Sequence, residues 1–330
     1  MTHRDLSAQP PAISIITVCM NRQHHLLQTL PRVCAWSHHA EHVVVDWSSR
    51  QPIDRLDLPN DPRIRLLRVE GETRWNPSQA YNFAADQARG EWLFRLDADC
   101  WVQDLDPQQL LDSDSADGWV AHRSQAGSLG EVLLRRELFF AVGGFNELMR
   151  GYGFEDKDLI YRLQARAGVR IGSLAPEHVI FIPHTAQVRA SLPGSEAMAR
   201  ALKRATSHSN RFLAASCPWP GRYSRAAYRQ NAFGLWSLEP GSLPEPPAEI
   251  AAEAQRLRRS VFWGRFLLMP ELYVIRAPQA LLPSDRHGSF AIRWYHLIYW
   301  HTISRLVALP LLILQLFQGL GRSLRNSLLQ

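Results

Sequence analysis

The stretch from Gly90 to Asp99, GEWLFRLDAD, holds a run from Trp92 to Leu96 that is apolar but for Arg95 and stops at two carboxylates separated by one alanine. The run reads as a buried strand. The period-two spacing of Asp97 and Asp99 turns both carboxylates to the same side where that strand ends. Working upstream, Ser78 to Arg89 carries Ala80, Phe83, Ala84 and Ala88 on one side of a predicted helix. Ile13 to Val18, Val43 to Val45 and Ile64 to Val69 read as further strands at the spacing of βαβ units. Between the first two strands, Leu26, Leu27, Leu30 and Val33 mark one helical face. Three strands end in polar residues: Asn21 and Arg22, then Asp46, then Asp97 and Asp99. Ligands of an open α/β sheet bind beyond the carboxyl ends of its strands, so these residues are expected on one rim. The GxGxxG fingerprint is missing after the first strand, which disfavours a dehydrogenase.

Two carboxylates so placed can hold a divalent cation. Hard oxygen ligands suit Mg²⁺ or Mn²⁺, which bridges the phosphates of a nucleoside diphosphate. An acidic turn after a strand is the competing reading, and the motif alone does not decide between them. Further on, Gly151 to Asp156, GYGFED, sets glycines that allow close backbone approach ahead of a helix opening on Glu155, Asp156 and Asp158. Acids at a helix start are ordinarily caps, and capping accounts for one or two of these three.

Ala80-Tyr81-Asn82, Ala88 to Leu93 and Arg95 to Asp99, with Ile13 to Arg22 and Val45 to Ser49, resemble the donor-binding core of glycosyltransferase family 2. Phe140 to Leu159, FAVGGFNELMRGYGFEDKDL, looks like the acceptor-side segment shared by family 2 enzymes and the C-terminal portion of β-1,4-galactosyltransferases. These blocks cover roughly residues 12 to 185 in the family's order. The resemblance implies an α/β GT-A fold, a mixed sheet with helices on both faces, followed by a mainly helical C-terminal extension. It implies that Thr17 and Asp46 contact the base, that Arg22 and Asn82 lie near the ribose or phosphates, and that Asp97 faces the ribose or donor sugar. Asp99 would ligate the metal, and His184, in Ile182-Pro183-His184-Thr185, would complete the metal site. Asp156 would take the proton from the acceptor hydroxyl, Glu155 would contact sugar, and inversion at the anomeric carbon follows. The implied activity is transfer of a sugar from a nucleotide-sugar donor, UDP-linked, to a glycan or lipid-linked acceptor with Mn²⁺ or Mg²⁺. Tyr152 and Phe154 stand where the galactosyltransferase segment carries Trp and a further Gly, so galactose is not implied. A sugar nucleotidyltransferase is the enzymatic rival, disfavoured because no Gly-rich, lysine-bearing phosphate loop lies near the start. A catalytically inactive GT-A scaffold is the other, disfavoured because both acidic motifs are intact.

Of the 330 residues, 46% are hydrophobic and 21% charged, the usage of a folded protein. The four cysteines form no CxxC pair, against a zinc module or disulfide scaffold and in keeping with a reducing compartment. No apolar secretory stretch precedes the first strand, so a cytoplasmic location is expected. The net charge of +6 sits in the tail, where from Ala251 onward ten arginines face only Glu253, Glu271 and Asp285. No nucleic-acid-binding signature accompanies that charge, and no nucleic-acid partner is expected. Arg293 to Arg325 sets Trp294, Tyr295, Tyr299 and Trp300 among arginines, while its longest apolar run, Leu306 to Leu314, is too short to span a bilayer. An interfacial helix on an anionic membrane surface, peripheral on the cytoplasmic face, is the expectation, with a helix packed on the protein as the alternative. Glu239 to Pro247, EPGSLPEPP, reads as a linker between a catalytic domain over residues 1–238 and the basic aromatic tail over 248–330. Within that domain the donor half is placed at about 12–100 and the acceptor half at about 101–185, followed by a helical extension. His24-His25 and His38-His39 read as exposed helix and loop positions.

Overall fold

The computed structural model describes residues 12–114, 120–124, 130–183 and 196–266. His184 and the tail beyond residue 266 lie outside them. Along the chain run β1 (Ile13–Cys19), α1 (Gln23–Ala35), β2 (Glu41–Trp47), β3 (Ile64–Glu70), α2 (Pro77–Gln87), β4 (Trp92–Arg95) and β5 (Cys100–Val102). There follow α3 (Pro107–Asp114), β6 (Val120–Ser124), β7 (Val132–Arg135), α4 (Arg136–Ala141), α5 (Glu155–Ala167), β8 (Arg170–Leu174) and β9 (Val179–Phe181). The last elements are α6 (Glu196–Ser216), β10 (Tyr228–Gln230), β11 (Trp236–Leu238) and α7 (Ala248–Phe266).

Among the described residues, nine strands form one sheet in the order β10-β11-β3-β2-β1-β4-β7-β6-β8. β1 pairs in parallel with β2 and β4, and β2 with β3, which aligns their carboxyl ends on one edge. β7 runs antiparallel to β4, so the sheet is mixed. A mixed sheet of this kind is consistent with a GT-A fold. β5 and β9 form a separate antiparallel ribbon. The apolar runs of β1 and β2 follow from burial of every residue along them, as a strand covered on both faces requires. Leu26, Leu30 and Val33 of α1 are buried at helical spacing, whereas α2 is buried all along Pro77 to Ala85, its Ser78, Gln79 and Asn82 included. One core cluster joins Ile13, Ile15, Phe94, Leu96 and Leu133 to Val33 and Trp36. His25 and His39, expected on the surface, are both buried: His25 lies on the inward side of α1, and His39 stacks on Trp36 with ring centroids 5.9 Å apart.

The chain divides into two compact units. The first comprises Met1–Glu147, Arg162–Pro183 and Arg222–Pro244 and holds the sheet; the second comprises Leu148–Tyr161, His184–Gly221 and Glu245–Gln330. The chain thus changes unit at Pro244, inside the proline-rich stretch, and also at four other points. In the second unit α6 and α7 pack through Phe212, Leu213 and Ala254, with Ser209 Oγ donating to the Ala254 carbonyl at 3.0 Å. Among the described residues no helix is long and apolar enough to cross a membrane.

Candidate active site

The loops after β1 and β2 are laced together. The Asn21 N–H donates to Ser49 Oγ at 3.0 Å, and the Arg50 N–H donates to Asn21 Oδ1 at 2.9 Å. This holds the entry to α1 on the rim, where Arg22 Nη2 lies 3.2 Å from Asp99 Oδ2 and 3.1 Å from His25 Nδ1. Asp97 and Asp99 share a tight turn closed by the Cys100 N–H on the Asp97 carbonyl at 2.9 Å. Asp97 Oδ1 accepts from the Tyr81 hydroxyl at 2.6 Å and from Arg95 Nη2 at 3.2 Å, and 28% of the Asp97 side chain stays exposed. The Ile182 N–H donates to the Asp99 carbonyl at 2.8 Å, so the described chain meets this turn two residues before His184. Among the described residues no group of three or more His, Cys, Asp or Glu could hold a metal ion.

Three other candidates point inward. Thr17 Oγ1 lies 2.9 Å from Nε2 of His42, both are buried, and burial pushes the His42 pKa down to about 3. Asp46 accepts the Ser49 N–H at 3.0 Å and the Ile53 N–H at 3.1 Å, and it pairs with the Arg68 guanidinium. Asn82 is clamped to the GGFNE loop: its Oδ1 accepts the Phe145 N–H at 2.8 Å. Its Nδ2 donates to the Phe145 carbonyl at 2.9 Å and to Glu147 Oε1 at 2.6 Å. Arg22, Asp97 and Asp99 therefore stand at the rim, while Thr17, Asp46 and Asn82 hold the scaffold beneath it.

Sequence reasoning missed the buried carboxylates Glu131 and Glu147. Glu131 is fully buried, 3.4 Å from Cys100 Sγ, and its Oε2 has no hydrogen-bond partner among the described residues. Burial and then the Asp97 charge push its carboxyl up, against the pull of Arg95. Glu147 is pushed up to about 7 by burial, partly offset by the Ala226 N–H and Asn82. The one signal for this region was Arg95, a charge inside the run Trp92-Leu93-Phe94-Arg95-Leu96.

The GYGFED segment belongs to the second unit. Gly153 has φ 126°, a β-carbon there would meet Ser207 Cβ at 3.1 Å, and its carbonyl accepts Asn210 Nδ2 at 2.8 Å. Only glycine suits that position. The Gly153 N–H donates to Glu155 Oε2 at 2.7 Å, so buried Glu155 closes its own turn as α5 begins. Asp158 is buried too, whereas Asp156 keeps a partly exposed side chain.

Residues 14–159 match the family profile described as Glycosyl transferase family 2. No curated protein matches the sequence. Among solved structures, S. aureus TarS is similar at 15% identity over 61% of this chain and 45% of that one, with a TM-score of 0.42. The chain thus spans under half of the TarS chain. A second is the mannosyltransferase PcManGT from Pyrobaculum calidifontis, in complex with GDP-Man and Mn²⁺, at 16% identity over 90% of this chain and 88% of that one, TM-score 0.46.

Proposed function

We propose that this protein is a glycosyltransferase that takes a sugar from a nucleoside diphosphate donor, UDP-linked, and passes it with inversion to a hydroxyl of a glycan or lipid-linked acceptor. The observation that carries the reading is the Asp97-Ala98-Asp99 turn at the carboxyl edge of the parallel strands, with Arg22 against Asp99. In an open α/β sheet that edge is where ligands bind. Arg22 brings a fixed positive charge toward a diphosphate, and Asp97 offers a carboxylate to donor hydroxyls.

The donor set at the turn fits a divalent cation, since carboxylate oxygens are the hard ligands Mg²⁺ and Mn²⁺ take. Asp99 would hold it with His184, and the bound ion would neutralise the diphosphate as it leaves. Asp156 is assigned the general base, because it is the partly exposed acid of its turn while Glu155 serves the backbone. The GYGFED segment is accordingly the acceptor side, and the basic tail over residues 248–330 a membrane-surface anchor on the cytoplasmic face. A screen of UDP- and GDP-sugars for donor hydrolysis with Mn²⁺ tests the reading. Turnover of at least one donor, lost in Asp99→Ala, is the expected result; no turnover or binding of any nucleotide sugar would overturn it.

A further inference from the structure

Arg95 is 3% exposed, on a strand whose other residues are buried hydrophobics. Burying a guanidinium costs several kcal/mol unless it is paired, so a side chain of this kind needs a reason. Its guanidinium carbon lies 4.2 Å from the Tyr81 ring centroid and 5.2 Å from that of Phe145, a cation resting against two neighbouring rings. Both rings are themselves held. Phe145 is pinned through its backbone by Asn82, and the Tyr81 hydroxyl lies 3.3 Å from the Leu96 carbonyl. From this seat Arg95 reaches the same oxygen of Asp97 that Tyr81 reaches. Gly130 leaves it room, since a β-carbon there would stand 3.0 Å from Arg95 Nη2.

We propose that Arg95 and Tyr81 are positioning residues for donor recognition, fixing the rotation of Asp97 so that its carboxylate accepts the hydroxyls of the donor's ribose. The proposal rests on the reading of Asp97 as a donor-facing group. Two donors on one oxygen remove the carboxylate's freedom to turn about its last bond, so the ordering is made before the ligand arrives. A hydroxyl donating to a carboxylate fixed in this way gains most when present and loses most when absent.

The test is isothermal calorimetry with UDP and GDP and their 2′-deoxy and 3′-deoxy counterparts. It uses the full chain and the variants Tyr81→Phe, Arg95→Met, Asp97→Asn and the doubles. Native protein should prefer one ribonucleotide over at least one deoxy counterpart by about tenfold, the range of a hydrogen bond to a charged group. Tyr81→Phe keeps the ring and its packing. It and Arg95→Met should each weaken the ribonucleotide several-fold while leaving the deoxy compound unchanged, and neither should weaken binding further in the Asp97→Asn background. Equal losses for ribo and deoxy ligands, or none in either variant although Asp97→Asn abolishes the preference, would overturn the positioning role alone. An Asp97→Asn variant that keeps the native preference would overturn the reading of Asp97 itself, and the proposal with it.

Discussion

His42 and His39 make the sheet acid-sensitive in a way that one substitution should expose. Both rings are buried, and among the described residues His42 Nδ1 and His39 Nε2 have no hydrogen-bond partner to receive a second proton. Burial lowers His42 from the ordinary 6.5 to about 3 and His39 to about 4. A base whose folded pKa is depressed contributes stability above its unfolded pKa and loses it as the pH falls toward the folded value. The window therefore runs from about pH 6.5 down to pH 3–4, and one pKa unit is worth about 1.4 kcal/mol. At pH 5 each histidine has cost about 2 kcal/mol, about 4 together, and almost nothing at pH 7. Glu147 runs the other way, because a carboxyl raised to about 7 contributes stability at low pH that is lost as the pH rises through 7. The native pH profile is thus a mixture, and a variant isolates the histidine. His42→Gln retains an amide to meet Thr17 Oγ1 and cannot titrate. Urea unfolding at pH 7 and pH 5 should show the native protein losing about 2 kcal/mol more than the variant. Equal losses would refute the attribution to His42.

If Asp156 is the base, Asp156→Asn should lower turnover by roughly 10²-fold or more with UDP affinity unchanged, whereas a larger loss in Asp158→Asn would move the assignment. Asp99→Ala should remove the Mn²⁺-dependent part of UDP binding in calorimetry, as chelation does in the native protein; metal-independent native affinity would remove the site from Asp99. Deleting residues 267–330, which keeps α7 on α6, should abolish flotation with anionic liposomes and leave nucleotide binding intact, and equal flotation of both proteins would defeat the anchor. Phe94→Ala, in the middle of the first core cluster, should cost about 3–5 kcal/mol in urea unfolding.

What was legible in the sequence is what local pattern encodes. β1, β2, β3 and β4 are legible within a residue or two of their true bounds, because β1, β2 and β4 are buried along their length and half-buried β3 keeps Ile64, Leu66, Leu67 and Val69 among its arginines. The DAD turn was visible because it ends one of these strands. The inward turn of Thr17, Asp46 and Asn82 was not, since each is decided by a distant partner: His42 across the strands, Arg68 on β3, and Phe145 sixty-three residues on. Glu131 sits beside Cys100 only because β7 folds back antiparallel on β4, which no short-range signal dictates. β10 and β11, three residues each, are too short for alternation to show.

Those two short strands also set an order of events during synthesis. β11 lies parallel to β3, with Trp236 opposite Val69 and Ser237 opposite Glu70, and it covers the carboxyl end of that strand's outer edge. Tyr228 and Trp236 add rings against Phe83, with centroids 5.2 and 5.3 Å away. Roughly 170 residues separate the two partners, which at ribosomal rates is on the order of ten to thirty seconds. Throughout that interval the nascent chain carries β3 with an unpaired edge, the feature most able to recruit a second chain. Arg65 and Arg68, which in the finished protein pair with Glu41 and Asp46, lie on that same strand. Both acids lie on β2 and are synthesised earlier, so these charges are paired before the hairpin arrives, and only the hairpin can close the carboxyl end of the open edge.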